Sequence, residues 1–245
     1  MRPGNWKDTQ LDIRSPTAVR ALLERDRPGI VFFCAYDAED RLATVDAAGR
    51  AAADATRLGA RFVFFSTDLV FDGKVGNYDE GARAAPLLPY GAMKADAEAL
   101  VRSEHPEAIV VRTSLLVGES GVMMRPAFEC DTLLRGQPVT LYADEWRSPT
   151  HVDDVARAAW DLVRREVSGT LHVAGPDRLS RLELGRILCG LFRFDAALLK
   201  QGTRPADRPR DTSLDSRRAI ALLGWAPRSL ARLGQQAPAP VLADV

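Results

Sequence analysis

The residues that decide the fold are Arg61-Phe62-Val63-Phe64-Phe65-Ser66, an apolar run without the polar alternation of a half-exposed strand. Such a run is typical of a strand that helices cover on both faces of a parallel sheet. Similar runs lie at 30–34 and 108–113, and segments with helical character at 40–58 and 89–104 separate the three. Strands that alternate with helices in this way build right-handed βαβ units. The sequence therefore predicts an α/β fold with a parallel sheet and helices on both faces.

The rest of the chain is organised around this central unit. Ser15-Pro16 is a helix-start signal, with serine as the N-cap and proline in the first turn. Beyond Gly121 the pattern loosens and predicts helices at 126–134, 152–163 and 179–191 and short strands at 139–142 and 171–174. We predict a first domain over 1–120, a smaller lobe over 121–236 with some segments that return to the sheet, and a loose tail over 237–245.

Charge and hydropathy exclude several classes of partner. The 33 Lys and Arg residues balance 33 Asp and Glu residues, so no net field attracts nucleic acid or an anionic membrane. The longest apolar runs are of strand length and fall short of the ~20 residues that a membrane-spanning helix needs. The first residues also lack the apolar stretch of a signal peptide. The sequence therefore predicts a cytoplasmic protein that binds neither nucleic acid nor a membrane.

The cysteines and histidines predict no metal site. Cys34, Cys130 and Cys189 lie far apart in the sequence, without the short spacing of metal ligands. We interpret all three as buried thiols in a reducing compartment. The three histidines are scattered as well, so structural or exposed roles are expected for them.

Polar side chains that could take part in a reaction lie near the predicted carboxyl ends of the strands, where α/β sheets bind ligands. Ser66-Thr67-Asp68 follows directly after the second strand. Tyr90 and Lys94 lie four residues apart near the start of a helix, which places the phenol and the amine on one face. A nearby ammonium favours the phenolate and lowers the pKa of a tyrosine from ~10. This pair predicts proton transfer, although the same spacing also occurs by chance as a half-exposed ring beside a solvated amine.

Five segments together resemble one protein family: Ser66–Gly73, Pro89–Lys94, Arg112–Ser114, Ser148–Val155 and Arg208–Asp215. They follow the order of the dTDP-4-dehydrorhamnose reductase family, which belongs to the extended short-chain dehydrogenase/reductases. The resemblance implies a Rossmann-like, doubly wound sheet with a smaller C-terminal substrate-binding lobe. It also implies NADP or NAD as the cofactor, and reduction of the keto group of a nucleotide-linked 4-keto-6-deoxy sugar as the reaction.

The resemblance implies roles for individual residues. Thr67 would hold the keto oxygen, Tyr90 would donate the proton, and Lys94 would tune Tyr90 and bind the nicotinamide ribose. The residues implied to line the cofactor, besides Tyr90 and Lys94, are Cys34, Ala35, Ser66, Thr113 and Ser114.

The resemblance also implies contacts with the substrate, each with an alternative. Asp68, Val70 and Phe71 lie in the loop that faces the sugar in the family, although Phe71 could equally fill the core. Trp146 could stack on the substrate or simply pack. Arg210 lies in an arginine-rich segment that could bind a diphosphate or form a solvated loop whose charges pair with one another.

The sequence departs from the family in its first part. None of its 18 glycines form the Gly-x-x-Gly-x-x-Gly turn that receives the dinucleotide pyrophosphate. Leu11-Asp12-Ile13 resembles the third strand of the family, so the strand at 30–34 would be left at an edge of an incomplete dinucleotide-binding domain. Three arrangements would protect this edge: a longer native protein, pairing with Leu11–Ile13, or a second copy or other partner chain.

Two hypotheses of different classes therefore remain. In the first, the protein is an NAD(P)H-dependent reductase, which the set Thr67, Tyr90 and Lys94 favours. In the second, it is a non-catalytic subunit that binds a sugar nucleotide or regulates a partner, which the missing phosphate turn favours. The family includes such a member, the regulatory subunit of methionine adenosyltransferase.

Overall fold

A computed structural model describes residues 10–118 and 130–236. The helices are α1 (Pro16–Asp26), α2 (Ala47–Leu58), α3 (Pro89–Glu104), α4 (Cys130–Leu134), α5 (Val152–Arg164), α6 (Arg181–Phe192), α7 (Arg217–Leu223) and α8 (Leu230–Gln236). The strands are β1 (Ile30–Phe33), β2 (Arg61–Thr67), β3 (Ile109–Thr113), β4 (Leu116–Val117), β5 (Val139–Tyr142), β6 (Trp146–Arg147), β7 (Thr150–His151), β8 (Gly169–His172), β9 (Leu179–Ser180) and β10 (Leu199–Gly202).

The central sheet has the strand order β1-β2-β3-β8, and all its neighbouring strands are parallel. The register pairs Thr67 with Thr113, so β2 and β3 end side by side at the same edge of the sheet. The short strands form two-stranded sheets, β10 with β5, β4 with β7, and β6 with β9. The predicted α/β fold with a parallel sheet is confirmed, and the later half of the chain contributes β8 to it.

Strand β2 is buried on both faces, as its sequence predicts. Phe62 and Phe64 pack in a cluster with residues of α1, α2 and α3, whereas Val63 packs with residues of α5 and α7. None of these three side chains has measurable exposure. Because successive side chains of a strand alternate between the faces, the two helical layers are built on the two sides of this one strand.

The helix boundaries follow from local signals. Ser15 caps α1 by accepting a hydrogen bond from the backbone N–H of Ala18, and Pro16 occupies the first turn. A π-helical turn, Leu42–Asp46, leads into α2, which ends at Gly59 with a left-handed φ of 70°. The predicted helix at 179–191 instead begins at Arg181, because Leu179 and Ser180 pair with β6 as β9.

The strand β1 forms an edge of the described sheet, and three of its four residues are partly exposed. The expectation that Leu11–Ile13 forms a strand, or pairs with β1, is wrong. These residues make a turn in which Asp12 accepts a hydrogen bond from the backbone N–H of Arg14, while Leu11 and Ile13 pack on the cluster between α1 and α2. That β1 is covered by other residues of a longer protein, or by a partner chain, stays a prediction.

Other expectations concern segments that the structure describes only in part. Of the predicted helix at 126–134 the structure describes Cys130–Leu134; its first residues, the domain boundary at 120 and the tail at 237–245 lie outside the described residues. Cys189 is buried as predicted, but Cys34 is exposed because it follows the end of the edge strand. The side chain of Cys130 is likewise outside what the structure describes.

No helix within 10–118 or 130–236 is long and apolar enough to cross a membrane. Among the same residues, no group of three or more His, Cys, Asp or Glu side chains is arranged to hold a metal ion.

Candidate active site

The first turn of α3 packs closely against the end of β2. A short 3-10 turn, Asp68–Val70, follows β2, and a Cβ atom at Gly91 would lie 2.1 Å from the carbonyl oxygen of Leu69. Only glycine at this position allows the helix and the turn to approach so closely. The contact places Tyr90 and Lys94 beside the carboxyl end of β2.

Lys94 is almost fully buried, with 3% exposure, and its ammonium lacks a carboxylate partner among the described residues. Its Nζ donates a hydrogen bond to the carbonyl oxygen of Phe65 at 2.6 Å. The same nitrogen lies 4.2 Å from the ring centroid of Phe64 and 5.3 Å from that of Tyr36. Burial lowers the pKa of Lys94 to about 8, because desolvation disfavours the charged amine. Lys94 is therefore a cation held between aromatic rings and one carbonyl.

Tyr90 is half-buried, and its ring centroid lies 5.5 Å from that of Tyr36. Burial raises the pKa of Tyr90, and the neighbouring Tyr36 and the charge of Asp68 raise it further. The sequence predicted the opposite direction, with Lys94 lowering this pKa. The structure corrects that expectation, because the ammonium of Lys94 is directed at Phe65 and the rings rather than at the phenol. Tyr90 thus keeps its proton at neutral pH, which is the state that a proton donor needs.

Thr67 ends β2 and caps the turn that follows. Its Oγ1 accepts a hydrogen bond from the backbone N–H of Leu69 at 3.2 Å and donates one to Asp68 at 3.2 Å. The hydroxyl has a single proton, so donating to a substrate oxygen would replace the bond to Asp68. The residue is 8% exposed, at the point where β2, β3 and α3 meet. Thr67 therefore ends the strand against which Lys94 and the first turn of α3 pack.

Asp68 is completely buried, and its carboxylate forms an ion pair with Arg147. It also accepts hydrogen bonds from Ser114 at 2.6 Å and from Thr212 at 3.1 Å. Both carboxylate oxygens are thus satisfied within the protein. The structure corrects the expectation that Asp68 faces the sugar: it is a fixed anion that ties the turn after β2 to β6 and to the segment that contains Thr212.

Ser66 belongs to a second buried network, on the opposite face of β2 from Thr67. Its hydroxyl donates to Glu98 at 2.6 Å, and Arg112 donates to the same carboxylate at 2.9 and 2.7 Å. Although burial alone would raise it, the hydrogen bonds from Arg112 lower the pKa of Glu98. The expected cofactor role of Ser66 is corrected accordingly, because its side chain is directed into the interior toward α3.

Val70 and Phe71 also lie in the interior, and neither has measurable exposure. The ring of Phe71 stacks on that of Tyr78 with the centroids 4.2 Å apart, and the guanidinium of Arg112 lies 5.1 Å from its centroid. Of the two alternatives for Phe71, the structure shows the core-filling one. Val70 is buried in the same way. The expectation that the side chains of Val70 and Phe71 contact a sugar is therefore corrected.

The remaining residues expected to line a cofactor lie around the ends of β1 and β3. Cys34 and Ala35 follow β1 and are exposed. Ser114 is engaged with Asp68, whereas the hydroxyl of Thr113 is buried and has no hydrogen-bond partner among the described residues. Buried hydroxyls are seldom left unpaired, and this one lies beside Thr67 in the register. An unpaired hydroxyl at this edge fits a polar ligand such as the carboxamide and ribose half of a nicotinamide cofactor.

Trp146 and Arg210 lie together on the lobe formed by the later residues. The guanidinium of Arg210 is 5.3 Å from the ring centroid of Trp146, and that of Arg178 is 4.6 Å from it. Arg178 pairs with Asp211, whereas Arg210 is exposed and has no carboxylate partner in the described part of the chain. Trp146 is half-buried beneath these arginines. The arrangement offers a ring and one uncompensated cation to an anionic ligand.

The prediction from sequence missed Tyr36, and it missed the pairing of Arg147 with Asp68. Tyr36 contacts both Tyr90 and Lys94, and its only signal is its position two residues after the end of the strand predicted at 30–34. Arg147 neutralises Asp68 across 79 residues of sequence, for which a single sequence holds no signal.

Comparison with known proteins places this geometry in a family. Residues 4–232 match the family model described as the RmlD substrate binding domain. The probable low-salt glycan biosynthesis reductase Agl14 of Haloferax volcanii is 35% identical over 63% of this chain, and the match covers 55% of that relative, so the chain spans about half its length. Methionine adenosyltransferase 2 subunit beta of Pongo abelii is 29% identical over 93% of this chain and 75% of that protein.

Solved structures show the same architecture. The crystal structure of dTDP-4-dehydrorhamnose reductase from Bacillus anthracis, in complex with NADP, is 25% identical to this chain. It superposes with a TM-score of 0.81 over 93% of this chain and 86% of that one.

Proposed function

The chain belongs to the RmlD substrate-binding-domain family, and on that premise we propose that it reduces the 4-keto group of a nucleotide-linked 6-deoxy sugar, with NADP or NAD as the cofactor. The observation that carries this proposal is the buried ammonium of Lys94 at the carboxyl end of β2, with Tyr90 on the same helix and Thr67 as the last residue of the strand. The reductase names and the NADP of the relatives support it.

Tyr90, Thr67 and Lys94 each have a separate role in the proposed reaction. Tyr90 keeps its proton at neutral pH because its pKa is raised, so it is suited to protonate the carbonyl oxygen as that oxygen gains charge. The hydroxyl of Thr67 would orient the same oxygen. Lys94 supplies a buried positive charge that favours negative charge developing nearby. The neighbouring aromatic side chains limit the access of water to this charge.

A nicotinamide cofactor supplies the hydride in reductions of this kind. The residues that would hold its nicotinamide half are Thr113, with its unpaired hydroxyl, and Lys94, with the exposed Cys34 and Ala35 at the end of β1.

Titration of the protein with NADPH, followed by nicotinamide fluorescence, is expected to show saturable binding. Thr113→Val keeps the size of the side chain but removes its hydroxyl, so it should weaken binding several-fold. The matched control is Thr203→Val, at an exposed threonine, which should bind like the parent. A parent protein that shows no saturable binding would rule out the cofactor part of this proposal for these 245 residues.

We also propose that Trp146 and Arg210 bind the diphosphate end of the substrate. Arg210→Ala removes the uncompensated cation, and a hydrogen bond to a charged group contributes enough affinity that KM for the sugar nucleotide should rise about 10- to 100-fold. Inhibition by the free nucleoside diphosphate should weaken in parallel. Arg186→Ala, at an exposed position on α6, is the control for the loss of one positive charge. Equal KM values for both variants would exclude Arg210 from the subsite.

The second candidate function is that of a non-catalytic regulatory subunit. It is favoured by the likeness to methionine adenosyltransferase 2 subunit beta, which extends over 93% of the chain. The two functions differ in one measurement. A reductase consumes NADPH when a nucleotide-linked 4-keto sugar is added, whereas a regulatory subunit binds its ligands without consuming NADPH.

A further inference from the structure

Two arginines reach the ring of Trp146 from the two segments that pair with its strand. Strand β6, which begins with Trp146, pairs with β9, and Arg178 directly precedes β9. The segment at 210–212 also runs along β6. The backbone N–H of Trp146 donates to the carbonyl oxygen of Arg210 at 2.7 Å, and the backbone N–H of Thr212 donates to that of Trp146 at 3.1 Å. The guanidinium groups of Arg178 and Arg210 therefore lie 4.6 and 5.3 Å from one ring centroid.

The carboxylate of Asp211 decides which of these two cations is free. Its Oδ2 accepts a hydrogen bond from Nε of Arg178 at 2.7 Å, and Nη2 of the same guanidinium lies 2.7 Å from it. Its Oδ1 accepts hydrogen bonds from the hydroxyl of Ser213 at 2.6 Å and from its backbone N–H at 3.0 Å. Arg210 has no carboxylate partner in the described part of the chain. The ring of Trp146 thus meets one neutralised cation and one free cation.

The protein holds the carboxylate of Asp211 in this position without any ligand. The residue is 6% exposed. Its backbone N–H donates to the carbonyl oxygen of Gly73 at 3.0 Å, and a Cβ atom at Gly76 would lie 2.3 Å from its Oδ2, so the chain at Gly76 packs directly on the carboxylate. Half of the side chain of Arg178 is exposed, so its guanidinium would be open to an anionic ligand if the carboxylate did not pair with it.

We propose that Asp211 is a specificity-determining residue: by neutralising Arg178 at the ring of Trp146, it limits the anion subsite there to the one free cation of Arg210. The diphosphate of a sugar nucleotide is esterified at both ends, whereas the terminal phosphate of a free nucleoside diphosphate ionises twice. A subsite with a single free cation therefore favours the free nucleotide less than a subsite with two would. The proposal rests on the proposed diphosphate subsite, but the pairing of Asp211 with Arg178 does not depend on it.

Calorimetric titration with dTDP and with dTDP-glucose tests the proposal through the sign of the effect. Asp211→Asn keeps an acceptor for Ser213 and removes the charge opposite Arg178. We expect the Kd for dTDP to fall about 3- to 10-fold, and that for dTDP-glucose to fall by less. Arg178→Met leaves the carboxylate unpaired beside the ring and should raise the Kd for dTDP. The double variant Asp211→Asn/Arg178→Met lacks both charges and should bind dTDP like the parent.

The control for the loss of one negative charge is Glu107→Gln, at an exposed position before β3, which should bind dTDP like the parent. Weaker binding of dTDP to Asp211→Asn overturns the proposal, because a damaged fold weakens binding whereas a released cation strengthens it. An equal gain in Glu107→Gln overturns it too, since net charge alone would then explain the result. Because the pair is partly exposed, the gain in Asp211→Asn should shrink as the salt concentration rises.

A second measurement needs no ligand. The chain has four tryptophans, so the indole N–H resonance of Trp146 can be identified by its loss in Trp146→Phe. Asp211→Asn should shift this resonance, because Arg178 is no longer held at the ring, and an unchanged resonance would overturn the positioning of Arg178 by Asp211. Absence of dTDP binding in the parent and in every variant would overturn the diphosphate subsite, and the specificity with it, but would leave the resonance shift intact. The two failures are therefore distinguishable.

Discussion

Replacing Tyr90 with phenylalanine is expected to lower kcat by about 10²- to 10⁴-fold, the contribution usual for a positioned proton donor. Phenylalanine keeps the ring, and the ring makes the contact with Tyr36. The change therefore removes the transferable proton and little else. The affinity for the nucleotide sugar should stay nearly unchanged, because the proposed anion contacts lie at Trp146 and Arg210. Steady-state kinetics, with a separate binding titration, measures both quantities.

The control for this substitution is Tyr142→Phe. Tyr142 is half-buried beneath the guanidinium of Arg208, at 5.7 Å, and lies in β5, which pairs with β10 outside the central sheet. The substitution Tyr142→Phe makes the same chemical change in the same protein and should keep the parental kcat. Turnover that survives in Tyr90→Phe would remove Tyr90 from the mechanism, and a parallel loss in Tyr142→Phe would point to damage to the fold.

The fold was predictable because its signals are local. The apolar run of β2, the Ser15-Pro16 cap and the spacing of Tyr90 and Lys94 each lie within a few residues of sequence, and the structure places each of them as predicted. Leu11–Ile13 shows the limit of such signals. An apolar segment forms a strand only where a neighbouring strand offers hydrogen bonds. In the described structure the carbonyl oxygen of Asp12 instead accepts a hydrogen bond from the backbone N–H of Ser15, within a turn.

The directions in which the side chains of the site point were not predictable, because their partners lie far away in the sequence. Ser66, Thr67 and Asp68 are consecutive, yet each is committed to a different partner. Ser66 bonds to Glu98, 32 residues away, and Asp68 bonds to Arg147, 79 residues away. Only the packing of α3 and β6 on the sheet decides which hydroxyl or carboxylate remains available. The same packing, not the local sequence, directs Phe71 into the core.

Replacing Asp68 with alanine should lower the free energy of unfolding by about 3–5 kcal/mol, the cost of leaving one member of a buried ion pair alone. Arg147 is only 4% exposed and would keep its charge. Its other acidic neighbour is Glu145 at 3.7 Å, which is also bound by Arg208 at 2.8 Å. Ser114 and Thr212 would lose their acceptor as well. Urea unfolding monitored by circular dichroism measures the change.

A matched pair elsewhere in the chain separates burial from charge. Asp12 pairs with Arg14 at 2.9 Å, but both side chains are more than half exposed, so Asp12→Ala should hardly change the stability. Combining Asp68→Ala with Arg147→Met removes the orphaned charge and should recover part of the lost stability, because the two changes act on one interaction. Two results would contradict a buried ion pair at this site. In the first, the double variant loses as much free energy of unfolding as the two single variants together; in the second, Asp68→Ala and Asp12→Ala lose the same amount. Recovered stability without recovered turnover would show that the pair also holds Thr67 in position, since Thr67 bonds directly to Asp68.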